Sequence, residues 1–94
     1  MTDKFMSSYK KFLETWGVDI QSQMAVEEMG ELIKAICKYN RKKQCDELTE
    51  EIKYNLKEEI ADVLNTVEQL ELVFGVQEIE SIRKQKIDRT LKKI

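Results

Sequence analysis

The sequence predicts an all-α fold, a four-helix bundle-like arrangement of amphipathic segments. Three observations carry this. Apolar residues recur at three- and four-residue spacing along nearly the whole chain. Proline is absent. Of the three glycines, Gly17 and Gly75 fall where the periodicity breaks, and Gly30 lies inside a strong helical pattern. Convincing strand-like alternation is missing. At 94 residues the chain has the length of one domain, 1–94, and at 41% hydrophobic and 36% charged it is too apolar for disorder.

The first segment, about residues 3 to 15, repeats Phe5, Tyr9, Phe12 and Trp16, with Met6 and Leu13 beside them. It reads as a helix begun by Thr2 or Asp3 and released at Gly17. The second runs from about 19 to 39 with Ala25, Met29, Leu32, Ile33 and Ile36 on one face, and 40–44 is a polar, basic connection. A third region, about 46 to 74, carries Ile52, Leu56, Ile60, Val63, Val67, Leu70 and Phe74. Its early part, before Tyr54 and Asn55, can be read as a separate short turn. Gly75 supplies an αL stop. The last segment, 76–94, repeats Ile79, Ile82, Ile87, Leu91 and Ile94 as a basic amphipathic helix. Four such stripes exceed what a 94-residue core can bury, which predicts assembly with further copies.

Composition excludes several functions. Sixteen Lys and Arg against eighteen Asp and Glu leave a formal net charge of −2, so no nucleic-acid partner is expected. There is no histidine, which removes imidazole chemistry and the usual zinc sites. Cys37 and Cys45 read as reduced thiols, one of them in a core. No apolar run approaches the roughly 20 residues that span a bilayer, and the first residues lack an apolar targeting core. No membrane association and a cytoplasmic location are expected.

The residues able to do chemistry are acidic. Glu27, Glu28 and Glu31 stand on the second helix, and Glu58, Glu59 and Asp62 on the third. Residues three apart on a helix lie about 60° from one another, so each of the pairs Glu28/Glu31 and Glu59/Asp62 can meet at one ion. With the second helix centred between Met29 and Ile33, and the third on Leu56, Ile60 and Val63, both pairs fall on flanks of the same rotational sense. In an antiparallel pair those flanks open onto one groove. Four carboxylates massed there repel one another and lose hydration. A divalent cation offsets both costs, and an oxygen-only donor set fits Mg²⁺ first and Mn²⁺ as its substitute. Ca²⁺ fits less well, since its loop motif is absent. Gly30, unfavourable by about 1 kcal/mol in a helix, hints that something approaches the backbone closely.

The words around these acids, QMAVEEMGELIKAICKYNR and then LKEEIADVLNTVEQL, resemble the MazG-like all-α nucleoside triphosphate pyrophosphohydrolases. The family signature is Glu-Glu-x-x-Glu on one helix and Glu-x-x-Asp on the next, and the resemblance covers about residues 16 to 94. It implies a MazG-type fold assembled as a dimer or tetramer, with sites near subunit contacts. It implies Glu28, Glu31, Glu59 and Asp62 as magnesium ligands and catalytic residues. The expected reaction is cleavage of an NTP or dNTP between the α and β phosphates, giving the monophosphate and pyrophosphate. Lys86 and Arg89 in the basic tail are the counterparts of the family's phosphate-binding residues, with Lys34 and Lys38 as further candidates. Glu28, Glu27 or Glu58 could serve as the base. The chain departs from its apparent relatives in two places. Residues 40–58 carry no aromatic base-stacking signature, and the last helix lacks the paired Lys and Asn of many members. The alternative reading is a non-catalytic helical interaction module or a nucleotide-binding regulatory protein.

Overall fold

A computed structural model describes residues 3–94, and these form four α-helices with no strand among them. A 3-10 turn at Asp3–Phe5 leads into α1, Met6–Trp16. After Gly17 comes α2, Val18–Gln44. Residues 45–49 link it to α3, Glu50–Phe74, and Gly75 alone separates α3 from α4, Val76–Leu91. The all-α expectation is met, and no helix of the described residues is long and apolar enough to cross a membrane.

Several boundaries move, each for a local reason. Residues 40–44, expected as a connection, complete α2. They hold no helix breaker, and Arg41, Lys42 and Lys43 in the last turn oppose the negative end of the helix dipole. The third helix starts at Glu50 rather than 46 and is continuous through Tyr54 and Asn55. The Thr49 hydroxyl accepts a hydrogen bond from the Ile52 amide at 3.2 Å, and Glu50 and Glu51 occupy the first turn. Thr2, one expected cap of the first helix, lies outside the described residues, and α1 begins at Met6 after Phe5, with no side-chain cap. Gly75 sits at φ 114° and ψ 104°, a positive-φ turn outside the αL well that only glycine adopts freely. The last helix ends at Leu91, short of Ile94.

α2 and α3 form the body of the molecule. The side chains between them follow a three/four rhythm: Gln21, Ala25, Glu28, Leu32, Ala35 and Tyr39 on α2, and Ile52, Leu56, Glu59, Val63, Thr66 and Leu70 on α3, all buried or half-buried. The pair is antiparallel and its register is pinned inside the seam. There Gln21 Nε2 donates to Gln69 Oε1 at 2.8 Å, and Gln69 Nε2 donates to the Asn65 carbonyl at 3.0 Å. α1 is fastened across the same end by Tyr9, 2% exposed, whose hydroxyl donates to Asn65 Oδ1 at 3.1 Å with Glu68 Oε1 a second acceptor at 3.4 Å. Burial first, then the Glu68 carboxylate, raises the Tyr9 pKa, so the phenol keeps its proton.

This seam lies to one side of the apolar arcs expected from sequence. Met29 and Ile33 are exposed, Ile33 by 63%, and Ile60 is exposed as well. On the helical wheel the packed stripe of α2 is turned by roughly 100° from the Met29/Ile33 direction, towards Glu28. Gly30 faces away from the seam, and a Cβ there would meet nothing within 4 Å, so no element of this chain makes the close approach its presence suggested. Cys37 and Cys45 are both free and exposed, so neither belongs to a core.

The register pin yields a stability prediction. Gln69→Ala leaves the Gln21 amide buried without its partner and is expected to cost about 1–3 kcal/mol in chemical denaturation. Replacing Gln21 and Gln69 together by leucine should cost less than Gln69→Ala alone. A Gln69→Ala variant as stable as the parent would show that the amide pair does not hold the register.

Candidate metal centre

The glutamine pin dictates what meets further along the pair. Seven residues on from Gln21 along α2 is Glu28, and seven back from Gln69 along α3 is Asp62. Three more steps in the same directions bring Glu31 level with Glu59. Equal rise on the two helices therefore stacks two acidic rungs, one turn apart, at the middle of the seam.

Glu28, Glu59 and Asp62 each offer a carboxylate oxygen, and the three oxygens lie within 4.8 Å of one another. Glu28 and Glu59 are half-buried and Asp62 is exposed. Glu31 stands outside that group but close enough to act on it. Burial raises the Glu28 pKa, reinforced by Asp62, Glu59, Glu31 and Glu27 in that order. Burial likewise raises that of Glu59, followed by Asp62, Glu31 and Glu58. Glu59 Oε2 is sealed from solvent with no hydrogen-bond partner. A sealed carboxylate oxygen without a donor, among like charges, is satisfied by a cation. Around Mg²⁺ opposed oxygens stand about 4.2 Å apart and adjacent ones about 3.0 Å at the usual bond length, so the three oxygens would draw closer to share one ion. The donor set fits a hard divalent ion.

Both acidic rungs stand on one flank of the seam, and two hollows adjoin them along its length. Glu28 and Asp62 line a hollow of about 390 Å³ towards α1, together with Phe12, Trp16, Met24 and the Gln21/Gln69 pair. Glu31 and Glu59 line another, of about 460 Å³, with Lys34, Lys38, Arg41 and Asn55. The rotated seam changes their depth, making Glu28 and Glu59 half-buried seam residues rather than flanking ones. Among the basic candidates, Lys34 and Lys38 adjoin the acids. Lys86 lies in a shallow hollow formed by α4 alone, with Ile87, Thr90 and Leu91, and neither Lys86 nor Arg89 lines either groove at the acidic centre.

Sequence reasoning missed Trp16, Phe12, Gln21, Gln69, Arg41 and Asn55 as neighbours of the acids. A signal for Arg41 was present, since it continues the stripe Glu28, Glu31, Lys34, Lys38 at helical spacing. The aromatic pair carried none, because Phe12 and Trp16 reach the site by folding back at Gly17. Compared with protein-family models, curated proteins and solved structures, the chain matches none.

The strained carboxylates make stability depend on pH and metal. Glu28 and Glu59 hold protons to higher pH in the folded chain than in the unfolded one. Below the ordinary carboxylate range both states are protonated and the centre costs nothing. As pH climbs from that range through the raised values the unfolded chain ionises first, and above the window the folded centre carries its full repulsion. Without metal, Glu59→Gln should therefore melt above the parent at pH 7, with the gap closing in acid. Mn²⁺ at about one hundred times its Kd should stabilise the parent by about 2.7 kcal/mol and the variant far less. Equal melting responses to Mn²⁺ would remove Glu59 from the centre.

Proposed function

We propose that this protein is a Mg²⁺-dependent nucleoside triphosphate pyrophosphohydrolase, converting an NTP or dNTP to its monophosphate and pyrophosphate. The observation that carries the reading is the gathering of Glu28, Glu59 and Asp62, with Glu31 adjoining, at the middle of the α2–α3 seam. The cleavage position and the substrate class come from the resemblance of the flanking words. A Mg²⁺ ion held there would supply neutralising charge for the phosphates and acidity for the attacking water. Glu28, Glu31, Glu59 and Asp62 hold that charge in place. A carboxylate left outside the ion's shell, Glu27 or Glu58, or Glu28 itself, takes the proton from the attacking water. Lys34 and Lys38 meet the phosphate charge from the adjoining groove.

The same reading includes a second copy of the chain. The Cα radius of gyration is 16.1 Å, against about 12 Å for a compact domain of this length. The accessible surface is 7404 Å², whereas a folded monomer of 11.1 kDa exposes about 5,700 Å². That excess exceeds what one partner contributes to a standard interface, about 800 Å². Its position is specific. Val26, Met29, Ile33 and Ile36 on α2 fall on the same side of the seam as Ile60 and Leu64 on α3, and all six are exposed, with Ile33 at the edge where it also lines the Glu31/Glu59 hollow. Lys86 and Arg89, on the loosely attached α4, belong to the phosphate set only where assembly brings them to a centre.

Two measurements test this. With Mg²⁺ and a panel of ribo- and deoxyribonucleoside triphosphates, chromatography should find monophosphate and pyrophosphate, and Glu31→Gln or Asp62→Asn should lower turnover at least about a hundred-fold. Orthophosphate and diphosphate as products would refute the cleavage position. No turnover across the panel would leave the helical interaction module as the better account. Sedimentation at micromolar concentration should report a dimer or tetramer, dissociated by Ile33→Lys with Leu64→Lys, and a single 11.1 kDa species in the parent would end the assembly proposal.

A further inference from the structure

The acidic centre divides two hollows of opposite chemistry. The one towards α1 is lined by aromatic, apolar and uncharged amide side chains besides Glu28 and Asp62, and no lysine or arginine reaches it. Trp16 is 53% exposed there and stands 5.7 Å, centroid to centroid, from the tilted ring of Phe12, so one indole face is open to a flat partner. The other hollow has no aromatic side chain among its lining residues and three cations, Lys34, Lys38 and Arg41. None of the three forms an ion pair among the described residues, although Lys42, Lys53, Arg83 and Lys84 all do. Their head groups are exposed and unpaired among the described residues, beside Glu31 and Glu59, and so are free to meet an anion.

We propose that the seam takes its nucleotide in one direction, base against Trp16 and phosphate tail towards Arg41, so that Lys34, Lys38 and Arg41 hold the departing pyrophosphate. This rests on the pyrophosphohydrolase reading above and adds the orientation and the role of Arg41. The dimensions allow it: fourteen residues separate Met24 from Lys38, about 21 Å at helical rise, with Glu28 and Glu31 between them. The reverse orientation would put polyphosphate against carboxylates with no cation to meet it, and an apolar ring among lysines.

The chemistry favours the same direction. The water oxygen forms its bond to the α-phosphorus as the bond from that phosphorus to the α–β bridging oxygen breaks. The water's proton passes to a carboxylate, and the bridging oxygen leaves with the pyrophosphate. Negative charge therefore grows on the leaving side, where the three cations stand. Arg41 can grip two phosphate oxygens at once through its planar fork, while Lys34 and Lys38 act as point charges. Asn55, across on α3, is placed to donate an amide hydrogen to the same group.

Calorimetric titration separates the two ends without requiring turnover. In the presence of Mn²⁺, Lys38→Gln with Arg41→Gln should weaken binding of inorganic pyrophosphate about ten-fold or more, the size expected from losing charge-assisted hydrogen bonds. Binding of a nucleoside monophosphate and of Mn²⁺ alone should change little. Trp16→Ala should do the opposite, weakening the monophosphate about ten-fold, as loss of a stacking face predicts, and sparing pyrophosphate. All three positions are exposed, and unchanged melting curves verify the fold. If Mn²⁺ binds but the two sets of variants affect both ligands alike, or exchange their effects, the orientation is overturned while the metal centre stands. If the parent binds neither Mn²⁺ nor pyrophosphate, the pyrophosphohydrolase reading falls and takes the orientation with it.

Discussion

One buried hydrogen bond sets the arrangement of everything else. Between two helices that meet through alanines, half-buried aliphatic side chains, Tyr39 and carboxylates, hydrophobic contact alone distinguishes poorly between registers one turn apart. The Gln21–Gln69 bond, 2.8 Å long and shielded from water, does distinguish them, because a slip by one turn would strand two amides in the seam. Its consequence propagates along both helices at equal rise. Glu28 is brought level with Asp62 and Glu31 with Glu59, and the hollows on either side inherit their residues from the same register. Tyr9 then ties α1 to Asn65, one turn from Gln69, so the aromatic wall beside the acids is referred to the same pin.

Placing carboxylates in the seam works against the fold. Glu28 and Glu59 occupy positions that an apolar residue would fill in an ordinary helical pair, and burial raises the pKa of both. Tyr9, Ala25 and Ala35 are the only buried apolar residues among those described. Such a core supplies little stabilisation, and the chain exposes about 1,700 Å² more than its size requires. The two deficits have a common remedy. The apolar face that could supply the missing burial lies on the back of the pair, with Ile33 at its edge, so a second copy can dock there without covering the centre. The exposed apolar side chains and the acidic cluster thus lie on different faces of one helical pair.

The helices themselves were legible because periodicity and glycine placement are local signals. The ends of α2 and α3 were less so: residues 40–44 looked polar enough for a loop, yet they lack any breaker and their charges suit a helix C-terminus. The rotation of the pair was not legible. An apolar moment points towards the greatest burial in the whole assembly, and on α2 that direction belongs to Met29 and Ile33, which find no partner within the chain. The acids were legible as two spaced pairs, since i,i+3 spacing survives any rotation of the helix. Their depth depended on the seam, and the seam depended on glutamines that no hydrophobic pattern marks. The same limit explains Gly30, whose open surroundings assign it no task inside this chain.

The basic end of α2 has a purely structural cause as well as a chemical use, and the two can be told apart by position. Arg41, Lys42 and Lys43 occupy the last turn, where the helix dipole favours cations by about 0.3–1 kcal/mol each. That effect fades within one turn. It does not account for Lys34 and Lys38, six residues or more from the end of the helix and without an ion pair among the described residues. Nor does it explain why these two share a hollow with Glu31 and Glu59 rather than facing open solvent. Held apart across one groove, these opposite charges form a dipolar surface whose acidic end suits a cation and whose basic end suits an anion, and a metal-bound polyphosphate presents both charges at that spacing.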